Sequence, residues 1–151
     1  MTSLRDVKDF KDLVNVPNLN EQVIEDFRAN AGRVGGPYEG APIILVHHVG
    51  AKTRMKRVSP MMYFPREDGS MVIVASHEGA PQNPAWYHNL MANPRTDVEV
   101  GTETFSVVVN EITGEERDAV WAGLLSTVPA LGEFQKMTTR TIPLLRLTRV
   151  N

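Results

Sequence analysis

PIILVHHVGAKTRMKRVSPMMYF, residues 42–64, reads as two extended runs joined by a glycine-led basic turn. The first run, PIILVHHV, is short, apolar and rich in β-formers; the second, RVSPMMYF, resumes as a strand. Between them Lys52, Arg54, Lys56 and Arg57 occupy four of six consecutive positions. Downstream, PREDGS is a turn and MVIVAS another strand. The order predicts a meander of antiparallel strands joined by hairpins, with the basic side chains gathered at one end of the sheet.

Working outward, NPAWYHNLMANP (residues 83–94) reads as a helix. Asn83 is its expected cap, Pro84 its first residue, and Asn93-Pro94 its end. Strands resume at TDVEV and TFSVVV. A helix over 113–128 opens with a capping box of Thr113 and Glu116 and carries Val120, Trp121, Leu124 and Leu125. A short segment, PALGEFQKMT, leads to a last strand, TIPLLRLTRV. Upstream, Leu4, Val7, Phe10 and Leu13 fall one turn apart and predict a short amphipathic helix over 1–17. NEQVIEDFRANAG predicts a second, capped by Asn20 and stopped at Gly32, and GRVGGPYEGAP is a glycine-rich loop. The expected organisation is α+β in one domain: a helical segment and loop over 1–40, then a barrel-like sheet of about six mostly antiparallel strands over 41–151 with flanking helices.

The chain has 151 residues, 42% hydrophobic and 23% charged, with net charge −2 and no cysteine. The absence of cysteine excludes disulfides, thiolate metal sites and cysteine nucleophiles. A pI near 6.1 argues against general nucleic-acid binding, so the basic turn favours a small anion over a polymer. No apolar run approaches a membrane span, and MTSLRDVKDFKDLV lacks the apolar core of a signal peptide. A cytoplasmic location is expected, with peripheral contact at the inner membrane face through the N-terminal helix as the alternative.

Neither nucleotide loop nor GxSxG elbow is present. Adjacent strand residues point to opposite faces, so His47 and His48 cannot chelate one metal, and no metal is expected. A solvated hairpin end would account for the basic run, but Thr53 and Ser59 add hydroxyls beside the cations and Gly50 lets backbone amides approach a ligand. Arginine forks and lysine ammonium groups so placed suit phosphate and carboxylate. The helix N-terminus at Asn83-Pro84 could polarise an anion, and Trp86 and Tyr87 offer flat apolar surface. Of Met61 and Met62, one must face inward. A flat aromatic ligand with an anionic tail would use all these parts.

These residues carry a resemblance. G-x-K-S/T-x-x-x-R-V-N/S-P over 50–60, combined with N-P-x-W-Y-x-N-L-x-A-N-P over 83–94, resembles the deazaflavin-dependent nitroreductase family of actinobacteria. The likeness spans roughly residues 40–150. It implies a split β-barrel of the FMN-binding type and binding of coenzyme F-420, whose phosphate and oligoglutamate tail are both anionic. It implies coenzyme contacts from Ala51, Lys52, Thr53, Arg57, Val58, Ser59 and Pro60, then Val74, Ala75, Ser76 and His77, then Ala85, Trp86, Tyr87, His88 and Asn89. Arg54 and Lys56 fall where relatives vary.

The activity implied is hydride transfer from reduced coenzyme F-420 to an electron-poor conjugated small molecule: an enone, an unsaturated lactone, a quinone or a nitroaromatic. Ser76, Tyr87 or a bound water is the candidate proton source. The nitroimidazole-activating member of the family has tyrosines where this chain has VPALGEF, so an apolar acceptor pocket is expected from Met61, Met62, Trp86, Val128, Leu131 and Phe134. The other readings are a non-catalytic carrier of the coenzyme or of an apolar ligand, and an FMN- or heme-binding protein of the same fold. The chain is expected as a monomer or homodimer.

Overall fold

The computed structural model describes residues 3–150. Its strands are β1 (Ile43–Val49), β2 (Lys56–Met62), β3 (Phe64–Pro65), β4 (Met71–Val74), β5 (Arg95–Val100), β6 (Glu103–Ile112) and β7 (Leu144–Arg149); its helices are α1 (Leu19–Ala29), α2 (Ala85–Ala92), α3 (Gly114–Thr127) and α4 (Ala130–Lys136). All seven strands join one antiparallel sheet in the order β2-β1-β5-β6-β7-β4-β3. Its two ends, β2 and β3, are separated in the chain by Tyr63 alone, so one bent strand serves both edges. That rolls the sheet into a split β-barrel and blunts the edge problem of an open sheet.

The β1–β2 and β3–β4 hairpins are present, but a simple meander is not. The second neighbour of β1 is β5, and that of β4 is β7. Closure decides this: a rolled sheet needs each of these strands to pair on both sides, and the later strands supply the partners.

Register assigns the faces. Ile44 opposes Met61, Val46 opposes Ser59 and His48 opposes Arg57. Ile44 and Val46 join Ile73, Leu90, Val98, Val107, Leu145 and Leu147 in the barrel interior, with Met61, Trp86 and Tyr87 packed against it. The opposite face of β1, through Ile43 and Leu45, packs on Leu4, Val7, Leu13, Val16, Val23 and Phe27. The outer face of β4 and β7, through Val72 and Leu144, packs on Val120, Leu124 and Leu131. Each such side chain contributes about 1.5–3 kcal/mol by leaving water.

Four local expectations need correction. The N-terminal segment is not one helix but two 3-10 turns, Leu4–Asp6 and Phe10–Asn15, capped by the side chains of Ser3 and Asp9. Val7 is extended between them, which buries Leu4, Val7, Leu13 and Val16 while Phe10 and Val14 stay exposed. The α1 cap is Asn18, at φ 50°, not Asn20. Pro84, not Asn83, stands at the α2 cap, because the Asn83 side chain is taken by Arg140. The Thr113–Glu116 capping box does not form; Thr113 caps without a side-chain bond and Glu116 pairs with Arg146. No helix among the described residues is long and apolar enough to cross a membrane.

Candidate functional site

The basic turn is tightly built. Gly50 donates to the Met55 carbonyl and accepts from Arg54 N–H, both at 2.9 Å. A Cβ on Gly50 would collide with Thr53 Oγ1, so any larger residue there must turn the Thr53 hydroxyl aside. Arg54 takes the left-handed conformation at φ 61°. Ala51 through Arg57 are all exposed. Some arginines outside the turn pair with carboxylates, as in Arg5–Asp26, Arg28–Glu99 and Arg149–Glu103. Lys52, Arg54, Lys56 and Arg57 pair with no carboxylate among the described residues, which leaves a concentrated positive field available to an anion.

Facing that turn is α2. Ala85, His88 and Asn89, spaced i, i+3 and i+4, lie on one side of the helix and join Gly50, Ala51, Lys52, Thr53 and Arg57 around a cleft of about 680 Å³. The two elements are bonded: Asn89 Oδ1 accepts from the Ala51 N–H at 2.9 Å, and Asn89 Nδ2 donates to His48 Nδ1 at 3.0 Å. His48 Nε2 in turn meets Ser59 Oγ at 2.8 Å. The first turn of α2 has no side-chain cap; the Tyr87 N–H donates to the Pro84 carbonyl at 3.0 Å, which leaves the N–H groups of Ala85 and Trp86 for a ligand.

The segment after β4 completes the surroundings. His77, Glu78 and Gly79 have φ of 46°, 52° and 79°, three left-handed residues in a row. Such backbone needs outside support, and Arg140 supplies it. Its guanidinium donates to the carbonyls of Ala75 (3.1 Å), Ser76 (2.7 Å) and Ala80 (2.9 Å) and to Asn83 Oδ1 (2.6 Å). Ala75 is buried, Ser76 half-buried and His77 exposed, its Nδ1 3.1 Å from the Gln82 carbonyl.

Not every residue of the expected site converges. Val58, Pro60 and Met62 oppose His47, Leu45 and Ile43, so strand alternation turns them from the face that carries Arg57, Ser59 and Met61. Val58 and Met62 pack on the N-terminal cluster instead. Trp86 and Tyr87 lie on the interior side of α2 rather than on its cleft side. The Tyr87 hydroxyl donates to Glu111 Oε1, and burial together with that carboxylate pushes its pKa up to about 12. A phenol held so is a weaker acid than an ordinary tyrosine, and its proton is already engaged by Glu111. Leu131 is buried, and with Val128 and Phe134 it packs against Val72, Val120 and Leu144. That segment is core between α3, α4 and the sheet before it is anything else.

Sequence reading missed His48 and Arg140. A histidine in an apolar strand has a signal, the polar residue out of place, but its partners Ser59 and Asn89 are 11 and 41 residues away. Arg140, up to 65 residues from its acceptors, has none.

Comparison with known proteins identifies the family. Residues 20–149 match the family model described as F420H(2)-dependent quinone reductase. A Mycobacterium tuberculosis protein named F420H(2)-dependent quinone reductase is 36% identical over 129 residues, covering 82% of this chain and 85% of its own. A solved structure described as an F420-H2 dependent reductase superposes with a TM-score of 0.61 at 36% identity, covering 70% of this chain and 93% of that one. Another, described as a domain-swapped dimer, gives 0.62 at 36% identity over 70% of this chain and 79% of that one.

Proposed function

The chain belongs to the F420H(2)-dependent quinone reductase family, and from that premise we propose that it is a reductase that passes a hydride from reduced coenzyme F-420 to a quinone or a related flat, conjugated acceptor. The observation that carries the reading is the cleft itself: unpaired cations on the β1–β2 turn face the open first turn of α2 across about 680 Å³. Those donors fit a ligand with phosphate and carboxylate groups. Small side chains at Ala51 and Ala85 leave room for a flat ring between them.

Lys52, Thr53 and Arg57 would hold the anionic part, and Ser59, the Ala75–His77 segment and the cleft face of α2 would border the ring. The coenzyme supplies the hydride chemistry when bound. This chain's residues hold the ring in register and keep water from the reacting face, which is where most of the available rate enhancement lies. With Tyr87 committed to Glu111, Ser76 or a water beside it delivers the proton that must follow.

Lys52→Ala and Arg57→Ala should each weaken coenzyme binding by about 1.5–3 kcal/mol, the range of a lost charge-assisted hydrogen bond. Arg54→Ala should cost less, and affinity should fall with added salt. Fluorescence titration of the coenzyme at low and high ionic strength reads all of this. Three variants that bind like the parent would mean that the turn is merely solvated.

Steady-state turnover with saturating reduced coenzyme tests the acceptor. Quinones and unsaturated lactones should be reduced measurably and nitroimidazoles poorly, because residues 128–134 contain no tyrosine to make a polar contact with a nitro compound. Nitroimidazole turnover matching that of every quinone and lactone would overturn the acceptor assignment. Binding without turnover of any acceptor would make the protein a carrier.

A further inference from the structure

The chain of polar groups behind the cleft has a single protonation state that satisfies it. His48 is 5% exposed, and its two ring nitrogens meet Asn89 and Ser59. The Ala51 N–H can only donate, so the Asn89 atom that meets it is the carbonyl oxygen. The Asn89 amide nitrogen then faces His48 Nδ1, which must accept. The proton of the neutral ring therefore sits on Nε2 and is donated to Ser59 Oγ.

We infer that His48 is a positioning residue for the cleft: its neutral ring fixes the Asn89 amide, which fixes Ala51, the first residue of the turn that carries Lys52 and Thr53. This rests on that cleft being the coenzyme site. Protonation makes Nδ1 a donor and sets it against the Asn89 NH2. If the amide turns to offer its oxygen to the ring, its NH2 meets the Ala51 N–H instead. Either arrangement breaks one link, so the turn is fully anchored only while the ring is neutral.

The surroundings favour the neutral form. Arg57 stands directly opposite on β2. Lys56, together with Arg95 and Asp97 from β5 and His47 from the same strand, shares the hollow on the outer side of the sheet that also reaches His48. His88 lies on α2. Two carboxylates of β5 lie nearby and both are engaged: Asp97 accepts from Ser106, and Glu99 meets His47 Nε2 at 2.8 Å and pairs with Arg28. Burial, then Arg57, then His47 hold the ring below the ordinary value of 6.5. The sign follows from that depression. Above about pH 6.5 the anchor is fully present, and it is lost as pH falls through the lower folded-state value, together with the stability it contributes.

The experiment compares the parent with His48→Gln, whose amide can still donate to Ser59 but carries no titrating group. Coenzyme affinity is measured by fluorescence titration from about pH 7.5 to about pH 5, the range in which histidine changes charge. The parent should lose about tenfold in affinity on acidification, the equivalent of one ordinary hydrogen bond. His48→Gln should bind more weakly at neutral pH and show no such slope; any titration of the coenzyme itself is common to both proteins. A parent without slope, or a variant with the parent's slope, overturns the inference. Amide exchange at Ala51 in ligand-free parent is the second readout, and it decides if the variant does not fold. Protection should drop at acid pH beyond the intrinsic change, and unchanged protection refutes the role of His48. Coenzyme that binds at no pH would refute the proposed function, while the exchange profile would still report on His48.

Discussion

Arg140→Ala will unfold well below the parent and lose most of its affinity for the coenzyme. The guanidinium supports three carbonyls and one side-chain oxygen of residues 75–83. Each buried acceptor left without a partner costs about 1–3 kcal/mol. Partial rescue by water reduces the sum, so a net loss of about 3 kcal/mol is expected. For a chain of this size that corresponds to a fall of about 6–12 °C in Tm. The binding loss has a different origin: without the guanidinium, the left-handed run of His77, Glu78 and Gly79 keeps only its own turn bonds and its packing on α4, and the flanking Ser76 and Ala80 carbonyls lose their anchor. Arg140→Lys should rescue little, because one ammonium cannot serve four acceptors spread over nine residues. Calorimetry and coenzyme titration test this, and a variant within about 1 kcal/mol of the parent would show the hub to be redundant.

The second large effect is expected at Gly79. A Cβ there would lie 2.8 Å from both the Phe134 carbonyl oxygen and Met137 Cβ, on top of the torsional strain at φ +79°. Gly69 is the natural control, with φ +88° and no atom within 4 Å of a built Cβ. Gly69→Ala should cost only the left-handed penalty of about 1–2 kcal/mol. Gly79→Ala should cost at least about twice that, because α4 must also move off the loop. Phe134 and Leu131 pack in the cluster that holds Trp121, so displacement of α4 should change the fluorescence of that indole. Equal urea midpoints for the two variants would mean that α4 gives way freely and the close contact carries no energy.

Much of this architecture was legible because it is local. The β1–β2 hairpin, the basic turn, α2 and the closing Asn93-Pro94 each follow from residues adjacent in sequence. The halves of the cleft that the motifs pick out, 50–57 and 85–89, do face each other. What escaped was set by partners far away in the chain. Asn83 looks like a cap until Arg140 claims it, and Glu116 looks like half of a capping box until Arg146 does. Tyr87 reads as an acid in isolation, yet the carboxylate of Glu111 on β6 holds its hydroxyl. The strand order was also out of reach, since the pairing of β1 with β5 and of β4 with β7 is a property of closure and not of any one segment. Alternation could say that one of Met61 and Met62 faces inward, but only register says that it is Met61.

The place of β7 in the sheet has a consequence for how the protein is made. It lies between β6 and β4, and Arg140 stands just before it. The parts proposed to border the coenzyme, within residues 50–59 and 75–89, leave the ribosome at least about 60 residues ahead of the end of β7. At about 5–20 residues per second that is a delay of roughly 3–12 s, during which β4 and β6 each lack a partner strand and the loop of His77 lacks its support. A nascent chain therefore cannot capture the coenzyme as it emerges. Loading is confined to the closed barrel, so scarcity of coenzyme should alter the occupancy of the finished protein and not its yield of folded chains.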